Sequence, residues 1–392
     1  MFTIKGMVYT KECVFTPGVL EIEDDVIRNV SVCGVNELTQ EEQKNYLIPG
    51  LVDVHFHGAA GYDFCDGTKE AHHAIEDYEN RHGITSICPA TMTLPIGELK
   101  EIVKNAARMK GISQDIEMNM HSSTEEQYMS ELKSLRGIHL EGPFISKEKK
   151  GAQKEDHIIP ADAVILQDLQ ECANGLIKIV SIAPETEGAI ECIAGLKDEF
   201  CFSIAHTTSD YETACKAIKA GARHVTHLYN AMPVANHREP SVLGAAADYS
   251  NVDVELICDG IHVHPSVVRN TFRIFGDDRV VLISDSMRAT GMDDGNYTLG
   301  GQDVIVKGAL ATLADGTIAG SATNLYDCMK KAVEMGISRE SAIKAATINP
   351  ARSIGIDAVV GSLEKGKMAD VLVVDEELNL QRVILGGKVL EE

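Results

Sequence analysis

Two kinds of patterning divide the chain. At both ends apolar and polar residues alternate, as in FTIKGMVYT and GVLEIEDDVIRNV near the start and ADVLVVDEELNLQRVILGGKVL near the finish. Period-two alternation broken by Gly and Asp/Asn turns predicts short antiparallel strands with one buried face. Neither end is long enough to make a stable sheet alone. Residues 1–49 and 355–392 are therefore expected to combine into one small composite β-sandwich domain.

Between them the pattern switches. Eight short apolar runs recur at 51–57, 84–91, 137–144, 177–185, 200–208, 224–231, 252–260 and 280–287. Stretches of helical period lie between most of them, for example 98–110, 161–174, 187–197, 210–220 and 265–275. The runs are β-branched and apolar throughout, as strands covered on both faces require. This repeated alternation predicts an α/β fold, a (β/α)8 TIM-type barrel over 50–354. An open doubly wound sheet is the alternative, but no Gly-rich phosphate loop follows the first run. GNYTLGGQDVIVKGALATLADGTIAGS after the eighth run predicts a β-hairpin or meander insertion near 295–318, and helices at 322–336 and 339–348 close the barrel.

Composition narrows the partners. The 392 residues carry a formal net charge of −23, which repels phosphate backbones and anionic membrane surfaces. Nucleic acid and membrane are therefore not expected as partners, and a phosphorylated small molecule would need a local basic pocket. No apolar stretch approaches the ~18 residues of a membrane span, and MFTIKGMVYTKE lacks a leader pattern. The ten cysteines form no CxxC pair and read as reduced thiols. Both features point to the cytoplasm.

Several polar residues fall where such runs should be apolar. His55 and His57, two apart on the first strand, point to the same side, which Asp53 shares. Burying two imidazoles with a carboxylate is costly unless something pairs them, and a divalent cation does so. Glu141 ends the third run just before Gly142-Pro143. His206 ends the fifth run and His227 lies in the sixth. One carboxylate, two imidazoles and a water make a usual catalytic zinc site. Asp285 ends the eighth run, where it can take a proton from an activated water and return it to a leaving group. His224 reads as structural and KEKK (147–150) as a solvated loop.

The order HxH, Glu, His, His, Asp on strands one, three, five, six and eight resembles the amidohydrolase superfamily. PGLVDVHFHG, HLEGPF, THLYNAM, REP, DGIHVHP, SDSM and AGSA narrow the resemblance to the N-acetylglucosamine-6-phosphate deacetylase family. That resemblance implies hydrolysis of N-acetyl-D-glucosamine 6-phosphate to the amine and acetate. It implies a divalent metal, one or two per subunit, with zinc foremost and iron, manganese or cobalt as alternatives. Asn230 and the Ala231 backbone match positions that contact the sugar phosphate, and His262 matches a substrate-contacting histidine. Arg238 matches an arginine that reaches the partner's site in a homodimer. Having both His55 and His57 implies room for a second metal bridged by Glu141. Gln153 stands where single-metal members place a histidine near the acetyl group. A dihydroorotase-like or deaminase amidohydrolase and a non-catalytic sugar-phosphate sensor are the competing readings.

Overall fold

The computed structural model describes residues 1–111 and 132–391. The N-terminal segment lays down β1 (Phe2–Tyr9), β2 (Phe15–Glu23) and β3 (Val26–Val32) as an antiparallel meander. β4 (Tyr46–Pro49) then joins the free edge of β1. This pairing is parallel, with Met7 opposite Tyr46, where an antiparallel neighbour was expected. The chain crosses back through 33–45, so that β4 runs through Gly50 directly into the first barrel strand, and Gly50 N is fixed on Asp370 O at 2.9 Å.

The barrel begins with β5 (Leu51–Asp53), followed by a short hairpin of β6 (Gly58–Ala59) and β7 (Tyr62–Asp63). β8 (Ile84–Ile87), β9 (Ile138–Glu141), β10 (Ile177–Ile182), β11 (Cys201–Ile204), β12 (His224–Val225), β13 (Asp253–Ile257) and β14 (Val280–Ile283) complete it. β9 to β14 pair in parallel and in sequence order, and β5 pairs with β8. Two seams close the ring. Thr91 N donates to His139 O and His139 N to Pro89 O on one side. Asp285 N donates to His55 O at 3.0 Å and His57 N to Ser286 O at 2.7 Å on the other. All eight apolar runs thus carry strands, and each is buried because helices cover the outer face.

The helix Pro265–Phe275 shows how such a cover forms. Val268, Thr271, Phe272 and Phe275, spaced three and four apart, are its buried face, and His264 Nδ1 caps its first turn by accepting from Ser266 N. Helix Lys69–Arg81 carries no such apolar stripe. It buries His72, Glu76, Glu79 and Asn80 alongside only Ala71 and Ile75, so periodicity in hydrophobic residues does not reveal it.

Beyond β14, β15 (Gly295–Leu299), β16 (Gln302–Lys307) and β17 (Leu310–Thr312) form a three-stranded antiparallel meander. β18 (Val371–Val374), β19 (Leu380–Leu385) and β20 (Lys388–Val389) then return to the N-terminal sheet, with β18 antiparallel to β4. The seven strands run β20-β19-β18-β4-β1-β2-β3. The sheet folds over until its wings meet, with Val26 bridged to Met368 and Gly387 N donating to Ala369 O. The wings sandwich Leu20, Ile22, Ile27, Leu47, Val371 and Ile384. All ten cysteines are unpaired, and no described helix is long and apolar enough to cross a membrane.

Candidate metal centre and cleft

Six of the predicted residues converge where the strands end, the face at which barrel enzymes carry their sites. Glu141 closes β9. His206, His227 and Asp285 follow β11, β12 and β14, and His55 and His57 follow β5. His206, His227 and Asp285 all hold left-handed backbone, with φ of 42°, 30° and 50°. Non-glycine residues adopt that region at a cost, and a site is where surrounding structure imposes it. For Asp285 the restraint is visible. Ser321 N donates to its carbonyl at 2.7 Å while its own N–H is held by His55 O, which gives the AGSA segment a structural task. Gly142, after Glu141, permits a close approach: a Cβ there would lie 2.0 Å from Thr93 Oγ1.

The polar atoms face one another in two groups. Glu141 Oε1 lies 3.1 Å from His206 Nε2 and 3.2 Å from His227 Nε2, and the two nitrogens are 3.2 Å apart. His57 Nε2 lies 3.2 Å from Glu141 Oε2 and 3.4 Å from Asp285 Oδ1, while His55 Nε2 lies 3.4 Å from Glu141 Oε1 and 3.7 Å from Asp285 Oδ1. Ligand atoms at ~2.0–2.1 Å from a tetrahedral cation stand about 3.3 Å apart. The spacings match that edge, and His55 Nε2 is buried without a hydrogen-bond partner. These residues fit a divalent cation, with Glu141 Oε1 facing His206, His227 and His55 and Oε2 facing His57.

The electrostatics agree. Burial pushes the Glu141 carboxyl up, but the surrounding His55, His206 and His227 outweigh it and hold it well below the ordinary range. Burial likewise opposes protonation of His57, yet Asp285 and Glu141 raise it to about 10. The cluster of carboxylates demands positive charge, which protons or a metal ion can supply.

Neighbouring groups orient the ligands. His206 Nδ1 donates to Lys149 O at 2.8 Å, so the KEKK loop, expected to be merely solvated, fixes a ligand through its backbone and walls the cleft. Asp53, which shares a strand side with the histidines, stays outside both groups: Ser284 Oγ donates to it at 2.5 Å and His55 N at 3.1 Å. His224 faces Glu255 rather than the cleft. Sequence reasoning missed Glu255, whose Oε2 accepts from His55 Nδ1 at 2.8 Å. A glutamate inside the apolar run VDVELICDG was the available signal.

A cleft of about 440 Å³ opens above the groups. Gln153, Asn230, Ala231 and His262 line it, together with Leu299, Thr317 and Ile318 from the inserted meander and the segment behind it. Gln153 is locked, its Oε1 accepting from Thr93 N at 2.6 Å and its Nε2 donating to Glu141 Oε2 at 2.8 Å. His262 Nδ1 is committed to Asp259 Oδ2 at 2.6 Å. Arg238 alone stands apart: it is exposed and does not line this cleft.

Residues 46–390 match the model of the amidohydrolase family. The N-acetylglucosamine-6-phosphate deacetylase of Bacillus subtilis (strain 168) is 35% identical over 388 residues, 97% of this chain and 95% of its own. The N-acetylgalactosamine-6-phosphate deacetylase of Escherichia coli O157:H7 is 32% identical over 94% of both. Among solved structures, N-acetyl-D-glucosamine-6-phosphate deacetylase from Mycobacterium smegmatis superposes with a TM-score of 0.88 at 30% identity over the whole of both chains. A mutant of that enzyme, in complex with N-acetyl-D-glucosamine-6-phosphate, gives 0.87 at 30% identity over 99% of this chain and 98% of its own. The chain therefore belongs to the amidohydrolase family. Within that family, its relatives at 30% identity or more along most of its length include several amino-sugar-6-phosphate deacetylases.

Proposed function

We propose that this protein hydrolyses the acetamide of N-acetyl-D-glucosamine 6-phosphate, giving D-glucosamine 6-phosphate and acetate in amino-sugar breakdown and reuse. The observation that carries this reading is Asp285, a carboxylate grouped with His55 and His57 that lines the same open cleft as Glu141, His206 and His227. A divalent cation held there supplies Lewis acidity, activating a water and polarising the amide carbonyl. Zinc suits the imidazole and carboxylate donors first, with iron, manganese and cobalt as alternatives. One ion would be held by Glu141, His206 and His227, and a second would add His55 and His57.

The chain's own groups then divide the work. Asp285 takes the proton of the attacking water and returns it to the nitrogen as the C–N bond breaks. The oxygen that gains charge takes an N–H from Gln153 or His262, and His262 Nε2 is the freer donor because the Gln153 amide is held on Glu141. Asn230 and Ala231 seat the phosphate. Leu228, Tyr229 and Asn230 spend their N–H groups on Glu255 O, Met232 Sδ and His227 O, and Ala231 N has no partner among the described residues. Arg238 completes the phosphate site from a second copy of the chain, which makes the working form a homodimer and explains why it is exposed here. We place the enzyme in the cytoplasm, where ten unpaired cysteines are stable. Residues 50–354 form the hydrolase barrel with its insertion near 295–318, and 1–49 with 355–392 form the accompanying β-domain.

The Escherichia coli relative gives a specific second substrate, the galactosamine epimer. Acetate release from both 6-phosphates, measured with zinc-, iron-, manganese- and cobalt-loaded protein, tests the reading. No release from either by metal-loaded protein overturns it, and faster release from the galacto epimer reassigns the substrate.

A further inference from the structure

Glu255 is fully buried in the middle of β13, among Val254, Leu256 and Ile257. A carboxylate in that position is costly unless its oxygens are satisfied. They are turned to different partners. Oε2 accepts from His55 Nδ1 at 2.8 Å and from the backbone N of His227 at 3.1 Å, while Oε1 makes no hydrogen bond and is answered only by the His224 ring, whose Nε2 lies 3.3 Å away. One side chain thus touches a member of each candidate ligand group, gripping His55 by its ring and His227 by its main chain.

We propose that Glu255 is a positioning residue that builds the second cation site. By accepting the Nδ1 proton of His55 it fixes the tautomer in which Nε2 carries the lone pair. That lone pair faces Glu141 Oε1 and Asp285 Oδ1 and has no hydrogen-bond partner. In the other tautomer an Nε2–H would occupy the same space and the ring could not bind a cation. The pair His55 and His57 is therefore insufficient by itself: Glu255 decides whether the chain holds one ion or two. His55, His139 and Glu255 also converge closely enough to suggest a cation between them. However, His139 Nδ1 faces Val54 O at 3.1 Å and Nε2 faces Ser181 Oγ at 2.8 Å, so both its nitrogens are already engaged.

The inference rests on the metal-dependent reading above, and metal counting separates the two, since it needs no substrate. After loading with zinc and desalting, elemental analysis should find two ions per wild-type chain and one in Glu255→Leu. Glu255→Gln, which can still accept from Nδ1, should fall between them. Zinc titration of the metal-free proteins should show the second site weakened by about 10–100-fold and the first, whose His227 loses only a backbone contact, weakened much less. Two tightly held ions in Glu255→Leu, or equal weakening of both sites, overturns the proposal. Should both variants fail to fold, anomalous diffraction from metal-loaded wild-type crystals decides. An ion on His55 Nε2 with Nδ1 still on Glu255 supports it. An ion on His55 Nδ1, or none beside His55, overturns it. If two ions bind but no acetate is released, the deacetylase reading falls and this one stands.

Discussion

The Asp285 carboxylate stands 3.4 Å from His57 Nε2, close enough to be held as an anion although it is almost entirely buried. Burial alone would push its pKa up, but the hydrogen bond from His57 and the charges of His55 and His57 outweigh that and bring it below the usual value. An ionised carboxylate beside an activated water is what a general base requires. Asp285→Asn keeps the size and one acceptor but cannot take up the proton. Its kcat for acetate release should fall by about 10²–10⁴-fold, while elemental analysis still finds the ion held by Glu141, His206 and His227. Turnover near wild type with that ion in place would remove Asp285 from the chemistry.

Chelation tests the ligand groups as a set. Without a cation the buried carboxylates can be answered only by protons on the imidazoles, and no Lewis acid remains. Exhaustive dialysis against chelator should abolish acetate release and lower the thermal midpoint, since an ion that binds only the folded state stabilises it by mass action. Adding back zinc, iron, manganese or cobalt should restore both. Full activity of rigorously metal-free protein would contradict the proposed mechanism.

Arg238 offers a test of assembly. Alone it should matter through the phosphate. Arg238→Ala should raise KM for the 6-phosphate by about 10–100-fold, the size of a lost charge-assisted hydrogen bond, and leave the much weaker turnover of unphosphorylated substrate unchanged. Mixing then reports where the arginine acts. Arg238→Ala chains keep Asp285, and Asp285→Asn chains keep Arg238. If the arginine crosses between subunits, refolding the two variants together should regenerate sites that hold both. Assays of the mixture should then exceed the sum of its parts several-fold. A purely additive result would place Arg238 in its own subunit's site or outside the chemistry.

The residues of the metal groups were legible because each breaks a local rule: histidine and glutamate at the ends of apolar runs have no bland explanation once five of them occur in order. Their partners were not. Nothing in VDVELICDG says that Glu255 faces His55, because the two are 200 positions apart and meet only when the barrel closes. The KEKK loop looked like solvated charge because what it contributes is a main-chain carbonyl, invisible in side-chain chemistry. The parallel pairing of β1 with β4 escaped for a related reason. Alternation shows that a strand has two faces, but neighbour and direction depend on where the chain must go next, here into the barrel through Gly50.

His72 supplies a prediction independent of catalysis. It lies buried on helix Lys69–Arg81 against the Phe64 ring, with Nε2 lacking a partner. Burial first, and then the nearby His73, lower its pKa to about 4, against about 6.5 in the unfolded chain. Between those values the unfolded state binds the extra proton. His72 therefore adds no proton-linked loss above pH 6.5, and the folded state loses stability progressively as pH falls toward 4. At about 1.36 kcal/mol per pH unit the loss reaches roughly 2–3 kcal/mol by pH 4.5. Replacing it by leucine, similar in size and unable to titrate, should remove that part of the acid sensitivity. Urea unfolding of wild type and His72→Leu at pH 7 and pH 4.5 measures it: the variant should lose less stability between the two pH values. Equal losses in both proteins would mean that the imidazole finds a partner or water when protonated.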